Sequence, residues 1–237
     1  MKKRTLYIGI AGLLIMAALL AVLLGQGNAK VSYGINLLKN ADFERVTGED
    51  LPEDWLPDAY QRMPGTSLFE LTEGRTGRGI IVYNVELNDA RFMQTVSVAP
   101  NTLYELSGYV KAGAEEGRGA NISIADVYVE WVGLMDTGDA WEQIKVYGRT
   151  GPQQRELTVY ARLGGYSSES LGRAEFDDLA LMAVEHVPDG ADVYSWETWK
   201  PDNGTQTDSI QPAPAWPWPP AAHWRHWPDP ARWRRPI

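Results

Sequence analysis

Cysteine is absent from the 237-residue chain, which excludes a disulfide framework, a thiolate metal site and a cysteine nucleophile. Histidine is nearly as scarce, because only His186, His223 and His226 occur. The chain therefore has too few histidines to favour a Ser-His-Asp triad or a histidine-rich zinc site. Positive charge is also in deficit: 22 Lys and Arg against 31 Asp and Glu give a net charge of -9. This balance argues against nucleic acid as a partner.

Motifs of catalysis are missing as well. The chain has no nucleophile elbow, phosphate loop or metal-hydrolase spacing. A glycosidase needs two carboxylates that face each other across a cleft. Asp177 and Asp178 are adjacent, so on a strand they would point to opposite faces. We therefore expect no enzymatic activity.

The residues in excess are Trp and Tyr, with ten and eleven copies against four Phe. Their side chains combine a flat apolar face with a polar edge, which suits sugar rings as well as protein cores.

The N-terminus predicts a membrane segment. Basic residues 2–4 precede an uncharged, mostly apolar run from Leu6 to Leu24, which is about long enough to cross a bilayer as a helix. The basic flank should stay in the cytoplasm, so the rest of the chain would be extracytoplasmic in a single-pass membrane protein. A cleavable signal peptide is the alternative, because residues 27–29 are small or polar, and it would give a secreted protein.

The middle of the chain predicts an all-β fold. Apolar residues alternate with polar ones from Asn36 to about Val187, as in 157–163, and turn signals separate the runs. Eight or nine such runs indicate an antiparallel β-sandwich. The predicted strands cover 67–72, 79–86, 91–98, 104–111, 121–124, 141–147, 157–163 and 174–182. The run at 121–124 should continue in the opposite phase through Ala125, Val127, Val129 and Trp131, which predicts a bulge near Ala125.

The composition changes after Val187 and predicts an irregular C-terminal tail. Residues 188–214 have the Pro, Asp, Asn and Thr content of a linker, and 215–237 are rich in Trp, Pro and Arg. The last stretch has two interpretations: out-of-frame translation after about Trp218, or a genuine tail that lies on a membrane surface. The predicted organisation is an anchor at 1–30, a sandwich at 31–187, a linker at 188–214 and a tail at 215–237.

The sequence N-L-L-K-N-A-D-F-E at 36–44, here called the opening segment, combines apolar and carboxylate residues. It predicts either an ordinary short strand or one half of a site for a hard cation. The comparable carboxylate pair on a predicted strand is F-D-D-L at 176–179.

The opening segment also carries a family resemblance. Together with L-P-E-D-W at 51–55, residues 94–111, W-E-Q-I at 141–144 and A-E-F-D-D-L-A-L at 174–181, it resembles carbohydrate-binding modules of families 4, 9 and 22. These modules are galactose-binding-like jelly rolls, and the resemblance covers roughly 35–187. More narrowly, N-D-A-R-F at 88–92 and R-L-G-G-Y at 162–166 resemble modules attached to bacterial membrane glycosyltransferases.

The resemblance implies a non-catalytic module that binds polysaccharide or glycan, and the apolar run from Leu6 to Leu24 adds the expectation of a membrane anchor. Such a module could be a fragment of a larger glycan-handling membrane protein, such as a glycosyltransferase. The alternatives are a structural or protein-interaction β-sandwich without a sugar ligand and, more remotely, a domain associated with glycoside hydrolysis.

The resemblance further implies a structural calcium ion that ties the first strand to the last. The carboxylates that would supply hard oxygen ligands are Asp42, Glu44, Asp177 and Asp178. The alternative is that they are solvated charges at strand ends.

Candidate sugar contacts are aromatic or multivalent hydrogen-bonding side chains away from the core. Four of them occupy strand positions that alternate with core residues and so point away from the core: Tyr109, Tyr128, Tyr160 and Arg162. Three more lie in loops or at strand ends: Tyr60, Asn84 and Tyr166. We predict that Tyr109, Tyr160 and Arg162 share one face, and the alternative for each residue is packing.

Overall fold

The computed structural model describes residues 31–127, 133–166 and 168–198. These residues form ten strands and no helix. The strands are β1 (Leu56–Ala59), β2 (Ser67–Glu73), β3 (Arg78–Asn88), β4 (Ala90–Ser97), β5 (Leu103–Glu116), β6 (Ala120–Ile124), β7 (Glu142–Arg149), β8 (Glu156–Leu163), β9 (Ser170–Ala183) and β10 (Val193–Ser195). Each predicted strand overlaps an observed one, because two-residue alternation marks strands that bury one side. The predicted continuation of β6 through Ala125 and Val127 is wrong, because β6 ends at Ile124 and Asp126 adopts φ of 58°; the rest of that continuation lies outside the described residues.

The strands form two sheets. The four-stranded sheet has the order β1-β4-β8-β6, and the six-stranded sheet has the order β10-β7-β5-β9-β3-β2. All pairings are antiparallel except that of β10 with β7, which makes the larger sheet mixed. The inner faces meet in an apolar core, where the ring of Phe69 packs edge-on against Phe92 at a centroid distance of 5.4 Å. The expected β-sandwich is therefore present.

The opening segment is not a strand, contrary to one of its interpretations. Asn40 and Phe43 adopt φ of 47° and 55°, and left-handed residues interrupt an extended chain. The segment still binds the last long strand, as the Asn36 side-chain amide donates to the carbonyl of Leu179 at 2.9 Å. Its carbonyl oxygen accepts from the N–H of Leu181 at 3.0 Å. These bonds place the opening segment beside β9.

The described structure continues beyond Val187, into residues of the predicted linker. Trp196 is 1% exposed, and its N–H donates to the carbonyl of Arg149 at 2.9 Å. Its indole lies against Gly148, where any Cβ would overlap the ring. Composition misses this docking because a single buried Trp can anchor an otherwise polar stretch.

Three predictions fall outside the described residues: the run from Leu6 to Leu24, Tyr128 and the tail at 215–237. Within the described ranges, no helix has the length and apolarity to span a bilayer.

Candidate functional site

The outward-facing side of the four-stranded sheet carries the polar and aromatic cluster of most interest. Along β4 and β8 every second residue is buried, so the alternate residues point away from the core. We call this surface the β8 face. Its members are Leu56, Asp58, Arg91, Met93, Thr95, Ser97, Asn121, Ser123, Glu156, Thr158, Tyr160 and Arg162.

Tyr160 lies at the centre of the β8 face. It pairs with Met93 on one side and with Ser123 on the other, while Arg162 is the next outward residue on its own strand. The guanidinium of Arg91 lies over the Tyr160 ring at 4.8 Å from the centroid, and that of Arg162 at 5.5 Å. Such cation–π contacts hold the ring and the two cations together.

Burial raises the pKa of the Tyr160 hydroxyl, and the positive charge of Arg91 opposes this effect in part. The hydroxyl therefore stays protonated at neutral pH and can act as donor and acceptor.

Carboxylates fix the two arginines. Asp89 accepts from Nε of Arg162 at 2.6 Å and also from its Nη2, a bidentate contact. Arg91 donates to Asp89 at 3.2 Å through Nη1 and to Asp58 through Nη2. Asp58 in turn pairs with Arg62 at 3.0 Å.

The result is an alternating ladder of five charges with a net charge of about +1. The side chains of Asp58, Arg91, Asp89 and Arg162 are only 10–14% exposed. Weak screening at such burial makes the contacts stronger than surface ion pairs.

Two buried polar atoms beside Tyr160 have no hydrogen-bond partner among the described residues. They are Nε of Arg91, on β4, and Oγ of Ser123, on β6. A buried polar group left without a partner costs about 1–3 kcal/mol.

Two strongly exposed tyrosines lie at one end of the same sheet. Tyr60 follows β1 and is 74% exposed, and Tyr166 follows β8 and is 71% exposed. The register aligns Ala59 with Ala90 and Ala90 with Leu163, so both chains leave the sheet at the same end. The sheet thus brings Tyr60, Tyr160, Arg162 and Tyr166 to one region.

Tyr109 does not share this face, so the prediction of one face for Tyr109, Tyr160 and Arg162 is wrong. Tyr109 is on β5, in the six-stranded sheet, and its ring packs under Arg75 at 4.2 Å. Outward residues of the two sheets of a sandwich point in opposite directions. Alternation shows that a residue faces outward but does not show from which sheet.

Asn84 is also not a surface contact. It is fully buried, and its amide donates to the carbonyls of Asn88 and Ser170 at 2.9 Å each, while its oxygen accepts from Ser67 at 2.7 Å. Asn84 therefore satisfies buried backbone groups between strands.

Sequence reasoning missed Asp58, Asp89, Arg91 and Ser123. Arg91 carries a usable signal, because it occupies a non-core phase of β4. The roles of Asp58 and Asp89 depend on the pairing of β1 with β4 and of β4 with β8, which a single sequence does not display.

The predicted calcium ligands are only partly brought together. A loop at 74–79 lies between Glu44 and Asp177: the N–H of Arg78 donates to Glu44 at 2.7 Å and that of Thr76 donates to Asp177 at 3.1 Å. A Cβ at Gly77 would overlap the Glu44 carboxylate, so the loop approaches closely because it lacks a side chain there.

The other two carboxylates fit less well. Asp178 forms an ion pair with Arg75 at 2.6 Å, and Asp42 is exposed. The described residues contain no group of three or more Asp, Glu or His side chains arranged to hold a metal. Asp177 is fully buried, and burial raises its pKa despite hydrogen bonds from two backbone amides. Glu44 and Asp177 therefore fit a cation only if loop carbonyls complete the set.

No family model matches the chain, and no curated protein matches it. Similar solved structures include the enzymatically active domain of tailspike protein 4 from bacteriophage CBA120, with a TM-score of 0.47, 12% identity, and coverage of 63% of this chain and 22% of that one. A family 4 carbohydrate-binding module gives a TM-score of 0.41 and 16% identity over 62% of this chain and 99% of that one. The family 22 xylan-binding domain of Paenibacillus barcinonensis Xyn10C gives 0.38 and 19% over 66% and 99%.

Families 4 and 22, which the sequence resembles, are thus among the similar structures. The chain spans under a quarter of the tailspike chain. The narrower resemblance to modules of glycosyltransferases finds no support. These likenesses concern the fold, and at such TM-scores they carry no argument about a ligand.

Proposed function

We propose that the chain is a non-catalytic module that binds carbohydrate through the β8 face. The observation that carries this proposal is the arrangement around Tyr160. Two guanidiniums held by carboxylates lie over one aromatic ring, and two buried polar atoms beside it have no partner among the described residues.

The chemistry of this cluster suits a sugar. Pyranose rings offer apolar C–H faces to aromatic side chains and hydroxyls to fixed donors and acceptors. Arg162 and Arg91 are already held by Asp89, so little side-chain entropy is lost when a ligand binds. Exposed Tyr60 and Tyr166 extend the aromatic surface at the end of the sheet.

The engagement of the carboxylates supports a non-catalytic role. Asp58 and Asp89 are both bound to arginines, so neither is free to act as the acid or nucleophile of a glycosidase.

We further propose that calcium binds between the opening segment and β9. Glu44 and Asp177 would hold the ion with carbonyls of the loop at 74–79, and calcium would supply positive charge to a buried carboxylate. The consequence for the fold would be a cross-link of the opening segment, this loop and β9, remote from the β8 face.

The run from Leu6 to Leu24 supports a third proposal, that the module is anchored outside the cell membrane. The full-length chain should stay with membranes after alkaline carbonate extraction, and the module should be digested by protease added to intact cells. A mature N-terminus near residue 30, in a soluble fraction, would instead identify a cleaved signal peptide.

A protein-interaction role is the second candidate. Tyr83, Val85 and Leu87 alternate along β3 and are 39–41% exposed, which is unusual for large apolar side chains. An exposed apolar stripe of this kind favours a protein partner.

A screen of the full-length chain, in detergent micelles, against bacterial cell-wall and plant polysaccharides tests the carbohydrate proposal. Binding to at least one class of glycan, lost after heat unfolding, is expected. A flat response across the panel from folded protein would refute it.

A further inference from the structure

The β8 face ends in an open strand edge. Strand β1 has four residues and pairs with β4 only from Ala90 to Met93. Strand β4 continues to Ser97, and over those last residues it has a neighbour only on the β8 side. The end of β4 therefore presents an edge that no described strand covers.

The register identifies the backbone groups on that edge. The N–H of Val98 donates to Arg155 on the β8 side, and the N–H of Tyr60 donates to Asp89 on the β1 side. Hydrogen-bonding direction alternates along an antiparallel strand. Even-numbered residues of β4 thus bond to β8, and the N–H and C=O groups of Thr95 and Ser97 point to the open side.

Local structure explains why β1 does not extend to cover this edge. Asp54 has φ of 66°, which turns the chain just before β1. The buried indole of Trp55 donates to the carbonyl of Asn40 at 3.1 Å, and the Gln94 amide donates to the carbonyls of Lys39 and Asp54 at 2.9 and 3.1 Å. These bonds fix the position of the chain that precedes β1.

A groove of about 570 Å³ lies along this edge. It is lined by Leu37, Lys39, Asp54, Leu56, Met93, Gln94, Thr95, Val96 and Ser97. The edge from Gln94 to Ser97 is about 13 Å long at roughly 3.3 Å per residue. That length accepts roughly four residues of an added strand.

We propose that this groove binds an extended peptide, which adds a strand to the four-stranded sheet beside β4. The edge offers paired N–H and C=O groups every second residue, about 6.8 Å apart, and an extended polypeptide presents the complementary groups at the same repeat. The added strand would continue the β1–β4 ladder past Met93. Leu56 and Met93 on the outward side favour a peptide whose apolar residues alternate with polar ones.

Fluorescence anisotropy of the full-length chain, in detergent micelles, tests the proposal. The probe is a labelled heptapeptide, Lys-Thr-Val-Thr-Val-Thr-Lys. Its controls are the same peptide N-methylated at the residues of one strand edge and at the residues of both edges, which removes donors without changing the side chains. The unmodified peptide should bind with a dissociation constant below about 1 mM, and the form without donors on either edge should bind at least tenfold more weakly.

Two substitutions at one position separate the backbone from the side chain. Ser97→Pro removes the N–H that faces the groove but no bond to β8, whereas Ser97→Ala keeps that N–H. Peptide affinity should fall about tenfold or more in Ser97→Pro and stay within about twofold in Ser97→Ala. The N-methylated peptides keep the test decisive on the unaltered protein if Ser97→Pro does not fold.

Absence of binding by the unmodified peptide would overturn the inference, as would equal binding of the form without donors on either edge. Loss of glycan binding in Ser97→Pro, without any binding of peptide, would assign the groove to the carbohydrate site and would also overturn it. The glycan screen remains a separate test, because a peptide can bind whether or not the β8 face binds sugar.

Discussion

Asp89 is the residue on which the charge ladder of the β8 face depends, because it contacts both Arg91 and Arg162. Asp89→Asn keeps the shape of the side chain but removes its negative charge. The two mostly buried guanidiniums of Arg91 and Arg162 then lose that charge as a partner. We expect a loss of about 2–4 kcal/mol in the free energy of unfolding, measured by urea denaturation, and weaker glycan binding.

Glu53→Gln is the matched control. Glu53 pairs with Arg45 at 3.1 Å, but the two side chains are 44% and 57% exposed. Its loss should lower the free energy of unfolding much less than Asp89→Asn does. Equal effects of the two substitutions would show that the ladder is no stronger than a surface ion pair.

Trp196 and Gly148 give a second prediction about single residues. Trp196→Ala should cost about 3–5 kcal/mol, because it removes a fully buried indole. Gly148→Ala should destabilise the unaltered protein, since its Cβ would overlap that indole, but should cost much less in the Trp196→Ala background. Thermal unfolding of the four proteins measures this coupling, and additive effects would contradict the described packing.

The limits of sequence reasoning at this scale follow from the same residues. Alternation is enough to predict that Tyr160 and Arg162 face outward, and both do. It cannot predict that Asp89 binds Arg162, since 73 residues separate them and the contact requires the pairing of β4 with β8. The burial of Trp196 was not predicted, because its polar neighbours in the sequence give no signal of a buried position.

At the scale of the secondary-structure elements, the loop at 74–79 and β9 allow a test that distinguishes calcium binding at Asp177 from burial of its carboxylate without a cation. Burial raises the folded-state pKa of Asp177, so folding without calcium takes up a proton. The stability of the calcium-free protein should therefore fall as pH rises from the usual aspartate pKa through the raised one. Asp177→Asn should remove this pH dependence and raise the melting temperature of the chelated protein at neutral pH.

Added calcium should raise the melting temperature of the unaltered protein at neutral pH but not that of Asp177→Asn. Asp178→Asn provides the comparison, because Asp178 already pairs with Arg75 and should leave most of the calcium response intact. If chelator does not change the melting temperature of the unaltered protein, the opening segment is held by hydrogen bonds alone.

The strands were largely predictable, and the opening segment was not. Strands such as β4 and β8 bury one side only, which leaves a two-residue period in the sequence. The opening segment is fixed instead by the side chain of Asn36 and by two left-handed residues, neither of which has a periodic signature.

At the scale of the whole molecule, the decisive fact is the division of the strands between two sheets. Tyr109 and Tyr160 both occupy outward-facing positions in the two-residue alternation of their strands. An arginine guanidinium lies over each ring, at 4.2 and 4.8 Å from the ring centroid. They nevertheless lie on opposite outer faces, because β5 and β8 belong to different sheets. Strand order depends on long-range pairing, so one sequence could predict a sandwich without predicting which tyrosines share a surface.

This division supplies the most direct test of the central claim, with two tyrosines of similar environment on opposite faces. A glycan found in the screen is titrated by calorimetry into the unaltered protein, Tyr160→Ala and Tyr109→Ala, each shown to be folded. Binding through the β8 face predicts about a tenfold or greater loss of affinity in Tyr160→Ala and little change in Tyr109→Ala. Unchanged affinity in Tyr160→Ala, or a loss confined to Tyr109→Ala, would contradict the account.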